Sequence, residues 1–385
     1  MVRKLNMGMI GGGTGSFIGG VHRMAANLDG HINLVCGAFS SDVVKCKATG
    51  EELYLPETRC YESYEAMIVQ EQKIPIGERM DFVSIVTPNH LHFAPAKMAM
   101  QNGFDVVLDK PMTLTLAEAK ELAFIATETG RRLCLTHTYT GYPMIKEARH
   151  QIANNVIGKI RKVYVRYPQG WLSTKLEDSN QKQAAWRTDP KRSGIAGSIG
   201  DIGTHAFNLV EYITGLEVTS ICAAVNIIVE GRQLDDDAAV LLKFNNNATG
   251  VLIATQVAAG EENNLTIQIH GELGGMEWQH QDSNSLVLKW LDRPAEIYRA
   301  GTPYLSDVAR HNCRTPAGHP EGFIEAFANI YRNFALTLKA EQAGKTADEN
   351  VKDFPGIKEG VRGMAFIENV IAAGNNKEKW TRFEI

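Results

Sequence analysis

The sequence predicts two domains, an α/β unit on a doubly wound parallel sheet followed by an α+β unit with antiparallel strands. Three observations carry this. Strand-like apolar runs alternate with helical patterns in the first third of the chain, β-rich runs separated by short turns crowd the second half, and 385 residues with 44% hydrophobic side chains suffice for two cores. The boundary is expected at 138/139, giving domains 1–138 and 139–385.

The first-domain runs are "NMGMIG" (6–11), "INLVCGAF" (32–39), "DFVSIVT" (81–87), "DVVLD" (105–109) and "RLCLTH" (132–137). Apolar strands with helical stretches between them specify βαβ units and a parallel sheet. Thr115-Leu-Ala-Glu118 reads as a capping box that opens a helix, and Gly130 is placed to close it. In the second domain, helices are expected near 143–155 and 202–214, followed by "VTSICAAVNIIV", "AAVLLKF", "TGVLIATQV", "LTIQIHG" and "SLVLKWL". Turns such as "NNNATG" and "GELGG" join these runs as an antiparallel meander. After the proline-interrupted stretch 294–320, "EGFIEAFANIYRNFALTL" places Phe323, Phe327, Tyr331 and Phe334 at i, i+4, i+8 and i+11, a helical stripe that belongs in a core.

A net charge of −4 offers no excess of positive charge to a phosphate backbone or an anionic membrane surface, so no nucleic acid is expected as partner. No apolar run approaches the roughly 20 residues of a membrane span. Cys36, Cys46, Cys60, Cys134, Cys222 and Cys313 stand singly, without Cys-x-x-Cys or zinc-ligand spacing, and read as buried free thiols of a reducing compartment. The few residues ahead of Met7 leave no room for a signal peptide, so the expected location is cytoplasmic.

"GMIGGGTGSFIGGVH" (8–22) ends the first strand and runs into a helix, the setting in which a glycine turn aims backbone N–H groups and a helix N-terminus at a pyrophosphate. Gly11-x-Gly13 is present, but the third glycine position falls on Ser16, small enough for helix to pack on strand. A P-loop is excluded, because Val21 and His22 stand where Lys and Ser/Thr are required after Gly15 and Gly20. The reading is a dinucleotide. At the end of the second strand, Phe39, Ser40 and Ser41 precede the acid Asp42 and no arginine is present, which favours NAD while leaving NADP open.

Strand carboxyl ends border the ligand crevice of such a sheet, so Thr87-Pro88-Asn89 and Asp109-Lys110-Pro111 face the cofactor. Lys110, restricted to extended backbone by the following proline, is a candidate for polarising a substrate oxygen. Asp201 and His205, four apart at the start of a helix, lie on one face. There the imidazole can take a hydroxyl proton while the carboxylate orients the group. A metal site needs further ligands, and none stands at a recognisable spacing.

Together, the glycine turn, "TPNHLH", "DKP" for Glu-Lys-Pro and "DIGTH" for Asp-x-Gly-x-His resemble the Gfo/Idh/MocA oxidoreductases over nearly the whole chain. The resemblance implies an N-terminal Rossmann domain, a C-terminal domain with a large, mostly antiparallel sheet, and a homodimer or homotetramer built on that sheet. It implies Lys110, Asp201 and His205 as the catalytic triad of an NAD(P)-dependent dehydrogenase, with Lys110 hydrogen-bonding the reacting oxygen and His205 as general acid/base; burial that lowered the lysine's pKa would make Lys110 the proton acceptor instead, and the sequence leaves the two open. Gly11, Gly13, Thr14, Ser16, Phe17, Ile18, Ser40, Thr87, Pro88, Asn89, His92, Asp109 and Lys110 form the candidate cofactor set. "SFIG" looks inserted, and "SGIAG" replaces a run of glycines. His137 stands where members carry an arginine, which argues for a neutral polyol or sugar over an anion. With "YPQGW", "AAWRTDP" and "AGHPEGF", the glycine turn is similar to members acting on inositols and anhydrosugars. Tyr139, Tyr142, Trp171, Trp186, Arg187 and His319 join His137 as candidate substrate contacts. A non-catalytic sensor and an NAD-dependent glycosidase are the alternatives on the same fold.

Overall fold

Each apolar run of the first third is a strand. In the computed structural model, which describes residues 3–179 and 181–385, β1 (Leu5–Gly11), β2 (Ile32–Ala38), β3 (Phe82–Val86), β4 (Asp105–Leu108) and β5 (Leu133–Leu135) pair in parallel in the order β2-β1-β3-β4-β5. Helices α1 (Phe17–Leu28), α2 (Val43–Glu52), α3 (Tyr64–Lys73), α4 (Phe93–Gln101) and α5 (Leu116–Thr129) lie between them. The capping box opens α5 as expected, and Gly130 closes it in the left-handed region at φ 64°. Since β2 and β3 flank β1 on opposite sides, the winding reverses there, and a ligand crevice forms at the carboxyl ends of β1 and β3.

The second half holds α6 (Pro143–Ala153), β6 (Lys162–Pro168), α7 (Lys182–Arg187), α8 (Pro190–Ser193), α9 (Thr204–Thr214) and the strands β7 (Val218–Asn226), β8 (Asp237–Phe244), β9 (Thr249–Thr255), β10 (Thr266–His270), β11 (Gly274–Gln279), β12 (Ser285–Trp290) and β13 (Glu296–Arg299). Beyond them come α10 (Asp307–His311), α11 (Phe323–Gln342), α12 (Ile357–Asn375) and the short β14 (Thr381–Arg382). The nine strands form one sheet in the order β13-β12-β11-β10-β6-β9-β8-β7-β14. It is not the simple meander expected. β6 enters between β9 and β10 and pairs in parallel with β9, the sole parallel pairing of this sheet among the described residues. The strand was missed although Val163, Val165 and Tyr167 alternate inward against outward Lys162, Tyr164 and Arg166, the period of a strand with one covered face. α6 and α9 pack together on the covered face.

The contiguous 139–385 domain requires correction. One unit comprises Met1–Thr138 with Phe323–Val361, the other Tyr139–Gly322 with Arg362–Ile385. α11 lies against α1, and its stripe Phe327, Tyr331 and Phe334 joins Leu5, Met7, Val21 and Phe82 in the core of the first unit. The stripe is core, as its spacing requires. Periodicity shows that a helix has an apolar face but not which sheet will cover it.

All six cysteines are free: Cys36, Cys46 and Cys134 are buried, but Cys60, Cys222 and Cys313 are only half-buried, which corrects the expectation for those three. Among the described residues no helix is long and apolar enough to cross a membrane.

Candidate active site

In the first unit, the glycine turn is shaped by what its neighbours leave free. Gly11 (φ 79°) ends β1 with no room for a side chain, because a Cβ would stand 2.9 Å from Thr87 Cγ2. At Gly13 a Cβ would stand 2.9 Å from the Phe39 carbonyl. The close packing of helix on strand falls to Gly19, where a Cβ would run into Gly12 Cα. Ser16, expected to do this, instead caps α1 by accepting from Gly19 N–H at 3.3 Å. Thr14 is tied to α2, its N–H donating to Thr49 Oγ1 at 3.1 Å, while Phe17 is exposed and Ile18 half-buried at the mouth of the turn. After β2, Ser40 Oγ accepts from Asp42 N–H, and Asp42 is itself engaged in capping α2 through Val44 and Lys45.

Two further strand ends belong to the same unit. Thr87 and Pro88 follow β3, Asn89 is buried, and Thr87 Oγ1 donates to the Leu91 carbonyl at 2.9 Å. His92, fully buried at the start of α4, has Nε2 2.8 Å from Thr87 O and Nδ1 2.8 Å from Pro111 O, so it joins the turn after β3 to the turn after β4. Asp109 Oδ1 accepts from Lys110 N–H and Thr136 Oγ1, both at 2.9 Å. The Lys110–Pro111 peptide is cis. His137 is buried beside them, and burial with the neighbouring Lys110 charge lowers its imidazole to about 3. His22, delivered by the lengthened turn, is enclosed with Nδ1 2.7 Å from Tyr331 Oη and Nε2 4.0 Å from Asp109 Oδ1.

In the second unit, the acid and histidine stand at the entrance to α9. The backbone from Ile199 to Gly203 is a π-helical turn, with Thr204 N–H reaching Ile199 O, wider than the α-helical spacing expected. Buried Asp235 pins this turn, its carboxylate accepting from Gly197 N–H (2.6 Å), Ser198 Oγ (2.7 Å) and Ile199 N–H (2.8 Å). Asp201 Oδ2 accepts from Gln256 Nε2 at 2.9 Å and lies 3.3 Å from Arg187 Nε. The Arg187 guanidinium lies over Trp186 (4.3 Å) and, further away, Trp171 (6.0 Å). His205 is buried, with the Tyr139 ring edge-on at 5.0 Å.

A polar network continues from there. Gln256 Nε2 also approaches Gln169 Oε1 (3.4 Å), which accepts from Trp171 Nε1 (3.0 Å), while Gln169 Nε2 donates to Asn263 Oδ1 (2.7 Å). Asn263 accepts from Tyr167 Oη (2.6 Å) and donates to Tyr139 Oη (2.9 Å); the two tyrosine hydroxyls are bonded to each other. Burial pushes Tyr139 up to about 12, so it remains a neutral hydroxyl. Tyr142 Oη lies 3.0 Å from His280 Nε2. Asp201, Arg187, Trp186, Trp171, Tyr139, Tyr142 and His205 are therefore brought together. His319 is not: it sits on an exposed loop with Nδ1 3.3 Å from the Pro316 carbonyl.

Gln169, Gln256, Asn263, Tyr167 and His280 were missed in the sequence. Parity could have found three of them. Gln169 continues the inward series Val163, Val165, Tyr167, and Gln256 continues Gly250, Leu252, Ala254, so each is an amide on the covered face just past a strand end. Tyr167 itself belongs to the first series. Asn263 lies in a loop with no such signal.

Residues 5–137 match the profile described as oxidoreductase family, NAD-binding Rossmann fold, and residues 145–277 match the GFO/IDH/MocA C-terminal domain. An uncharacterized oxidoreductase of Bacillus subtilis (strain 168), YfiI, is 31% identical over 385 residues, covering 99% of this chain and 98% of that protein. Among solved structures, an inositol dehydrogenase homolog of Azotobacter vinelandii complexed with NAD+ superposes with a TM-score of 0.95 at 31% identity, over 100% of this chain and 98% of that one. Its complex with NADH and myo-inositol superposes at 0.92 with the same identity and coverage. Levoglucosan dehydrogenase of Pseudarthrobacter phenanthrenivorans is 25% identical over 406 residues, 98% of each chain. The fold and these matches define an NAD-dependent oxidoreductase. The chain belongs to the Gfo/Idh/MocA family.

Proposed function

We propose that this enzyme oxidises a secondary hydroxyl of a cyclic polyol or sugar. The observation that carries the reading is the pair of half-buried Asp201 and buried His205 in the second unit, set among Tyr139, Trp171, Arg187 and a row of side-chain amides. Aromatic faces suit the C–H surface of a ring, and oriented amides suit its hydroxyls. Arg187, a cation beside this pair, is already compensated by Asp201, which favours a neutral substrate. Named relatives act in the same direction, being an inositol dehydrogenase homolog and a levoglucosan dehydrogenase.

The glycine turn, Ser40, the turn Thr87–Asn89, His92 and Asp109 are the residues that would hold NAD, and the close approach allowed at Gly11 and Gly13 fits such a group. Bound there, NAD supplies the hydride acceptor. The family resemblance joins Lys110 to Asp201 and His205 as one triad. His205 takes the hydroxyl proton, Asp201 orients the hydroxyl and balances the imidazolium, and Lys110 stabilises the developing alkoxide, a role typically worth a few kcal/mol.

The face of the nine-stranded sheet opposite α6 and α9 serves as the homo-oligomer contact in this reading. Leu241, Val251 and Tyr164 follow one another across β8, β9 and β6, with Ile253 alongside, and Leu241 (41%), Ile253 (38%) and Tyr164 (44%) are exposed. Six free thiols suit a reducing, cytoplasmic setting.

A panel of inositols, aldoses and anhydrosugars with NAD and NADP, followed by NADH or NADPH absorbance, tests the reading. Net reduction supports the dehydrogenase. Sugar release without it would indicate a glycosidase, and binding with neither a sensor; both outcomes overturn the proposal.

A further inference from the structure

Asp201 has an immediate neighbour that the sequence did not single out. Gln256, almost fully buried, spends its amide on two acceptors, Asp201 Oδ2 at 2.9 Å and Gln169 Oε1 at 3.4 Å. Its orientation follows from its neighbours. A carboxylate accepts only, so Gln256 must turn its NH2 group to Asp201. Gln169 Oε1 accepts as well, from Trp171 Nε1, which leaves Gln169 Nε2 to donate to Asn263 Oδ1. Asn263 then has its NH2 for Tyr139 Oη, and Tyr139 borders His205. One ionised carboxylate thus sets the donor direction of three successive amides, and the last of them fixes the hydroxyl beside the histidine.

We propose that Gln256, backed by Gln169, is a positioning residue that holds Asp201 as an ionised hydrogen-bond acceptor beside His205. The inference rests on the proposed roles of Asp201 and His205. Among the described residues, the charged and titratable groups facing Asp201 include Arg187 from α7 and Tyr139 and Tyr167, both neutral hydroxyls, with His205 four residues on in α9. Arg187 contacts the same oxygen, so the amide and the guanidinium converge on Oδ2.

The decisive variant is Gln256→Glu, which keeps the shape and replaces the donor by a second carboxylate. Two carboxyl groups at hydrogen-bond distance share one proton, and the pair resists its second ionisation. With the proton retained, Glu imitates Gln and donates to Asp201. Without it the two charges repel. The ratio of variant to wild-type kcat/KM is therefore expected to fall at least about tenfold between pH 6 and pH 9. It is measured with NAD and whichever of myo-inositol, levoglucosan and glucose is turned over fastest. A second readout needs no substrate. A carboxyl whose pKa is raised by folding loses stability as pH rises, so the deficit in Tm of the variant relative to wild type widens from pH 5 to pH 8.

Gln256→Met removes the donor without adding charge and is expected to lower kcat/KM about 10- to 100-fold, the usual worth of a hydrogen bond to a charged group. A pH-independent activity ratio and a constant Tm deficit for Gln256→Glu, or near-wild-type turnover in Gln256→Met, overturn the inference. Asp201→Asn and His205→Asn run alongside. If these keep turnover, the reading of the site has failed; if they lose it while both Gln256 variants behave as wild type, only the role of Gln256 has failed.

Discussion

Acid should destabilise the first unit through two enclosed histidines. Burial, the largest influence on each, takes His22 from the ordinary 6.5 down to about 4 and His137 to about 3; Asp109 pulls both back up, and Lys110 pushes His137 further down. At pH 5 both imidazoles are neutral in the folded chain but protonated in the unfolded one. The unfolded state binds the extra protons, so this stability is fully present above pH 6.5 and is lost as pH falls, down to about 4 for His22 and about 3 for His137. At pH 5, about 1.5 units below the ordinary value and about 1.36 kcal/mol per unit, the loss is about 2 kcal/mol for each histidine and about 4 kcal/mol for the pair. That is a large part of the 5–15 kcal/mol that typically, and only roughly, holds a domain together. Urea unfolding followed by far-UV circular dichroism at pH 8, 7, 6 and 5 measures it, with His22→Phe as the control. The variant starts less stable, since Tyr331 and Ser84 both lose the His22 imidazole and keep only each other, but between pH 8 and pH 5 it loses about 2 kcal/mol less than wild type. Parallel pH dependences for the two proteins, or a His22 resonance that titrates near 6.5, refute the reasoning.

Three further outcomes follow from the same geometry. Lys110→Ala is expected to reduce kcat by about 10²–10³-fold while the Kd for NADH, read by fluorescence titration, stays within about threefold; retained turnover removes Lys110 from the reaction. Gly19→Ala forces a methyl group against Gly12 and parts α1 from β1, for about 1–3 kcal/mol of stability and weakened NADH binding; an unchanged Tm would show that the turn yields. Leu241→Arg places a charge in the exposed apolar row of the large sheet, and light scattering should show a smaller species than wild type; the same mass for both proteins removes that face as the contact.

Much of the fold was legible because its signals are local. The five parallel strands, the capping box at Thr115 and the aromatic stripe of α11 each follow from spacing within a few residues. Errors arose where a local pattern admitted two outcomes. Ser16 and Gly19 are both small residues after the first glycines, and only the path of the helix shows that Gly19 meets the strand while Ser16 caps. β6 was overlooked because charged Lys162 and Arg166 interrupt its apolar run, although its inward parity was complete.

The candidate site shows the same division. Residue types and spacing in the sequence pointed to Gly11, Gly13, Lys110, Asp201 and His205, since a glycine at a strand end, a lysine before proline and an acid four residues before a histidine are each tied to a chemistry. The sequence also determined, through alternating apolar runs, that a parallel sheet comes first and an antiparallel one later. Only the tertiary structure decided which core receives α11, that Asp235 pins the turn bearing Asp201, and that Gln256, Gln169 and Asn263 form a directed row from that acid. Those partners come from strand ends and loops far apart in the chain. Their hydrogen bonds exist only once β6 and β9 have paired in parallel, because that register brings Gln169 and Gln256 to the same end of the sheet.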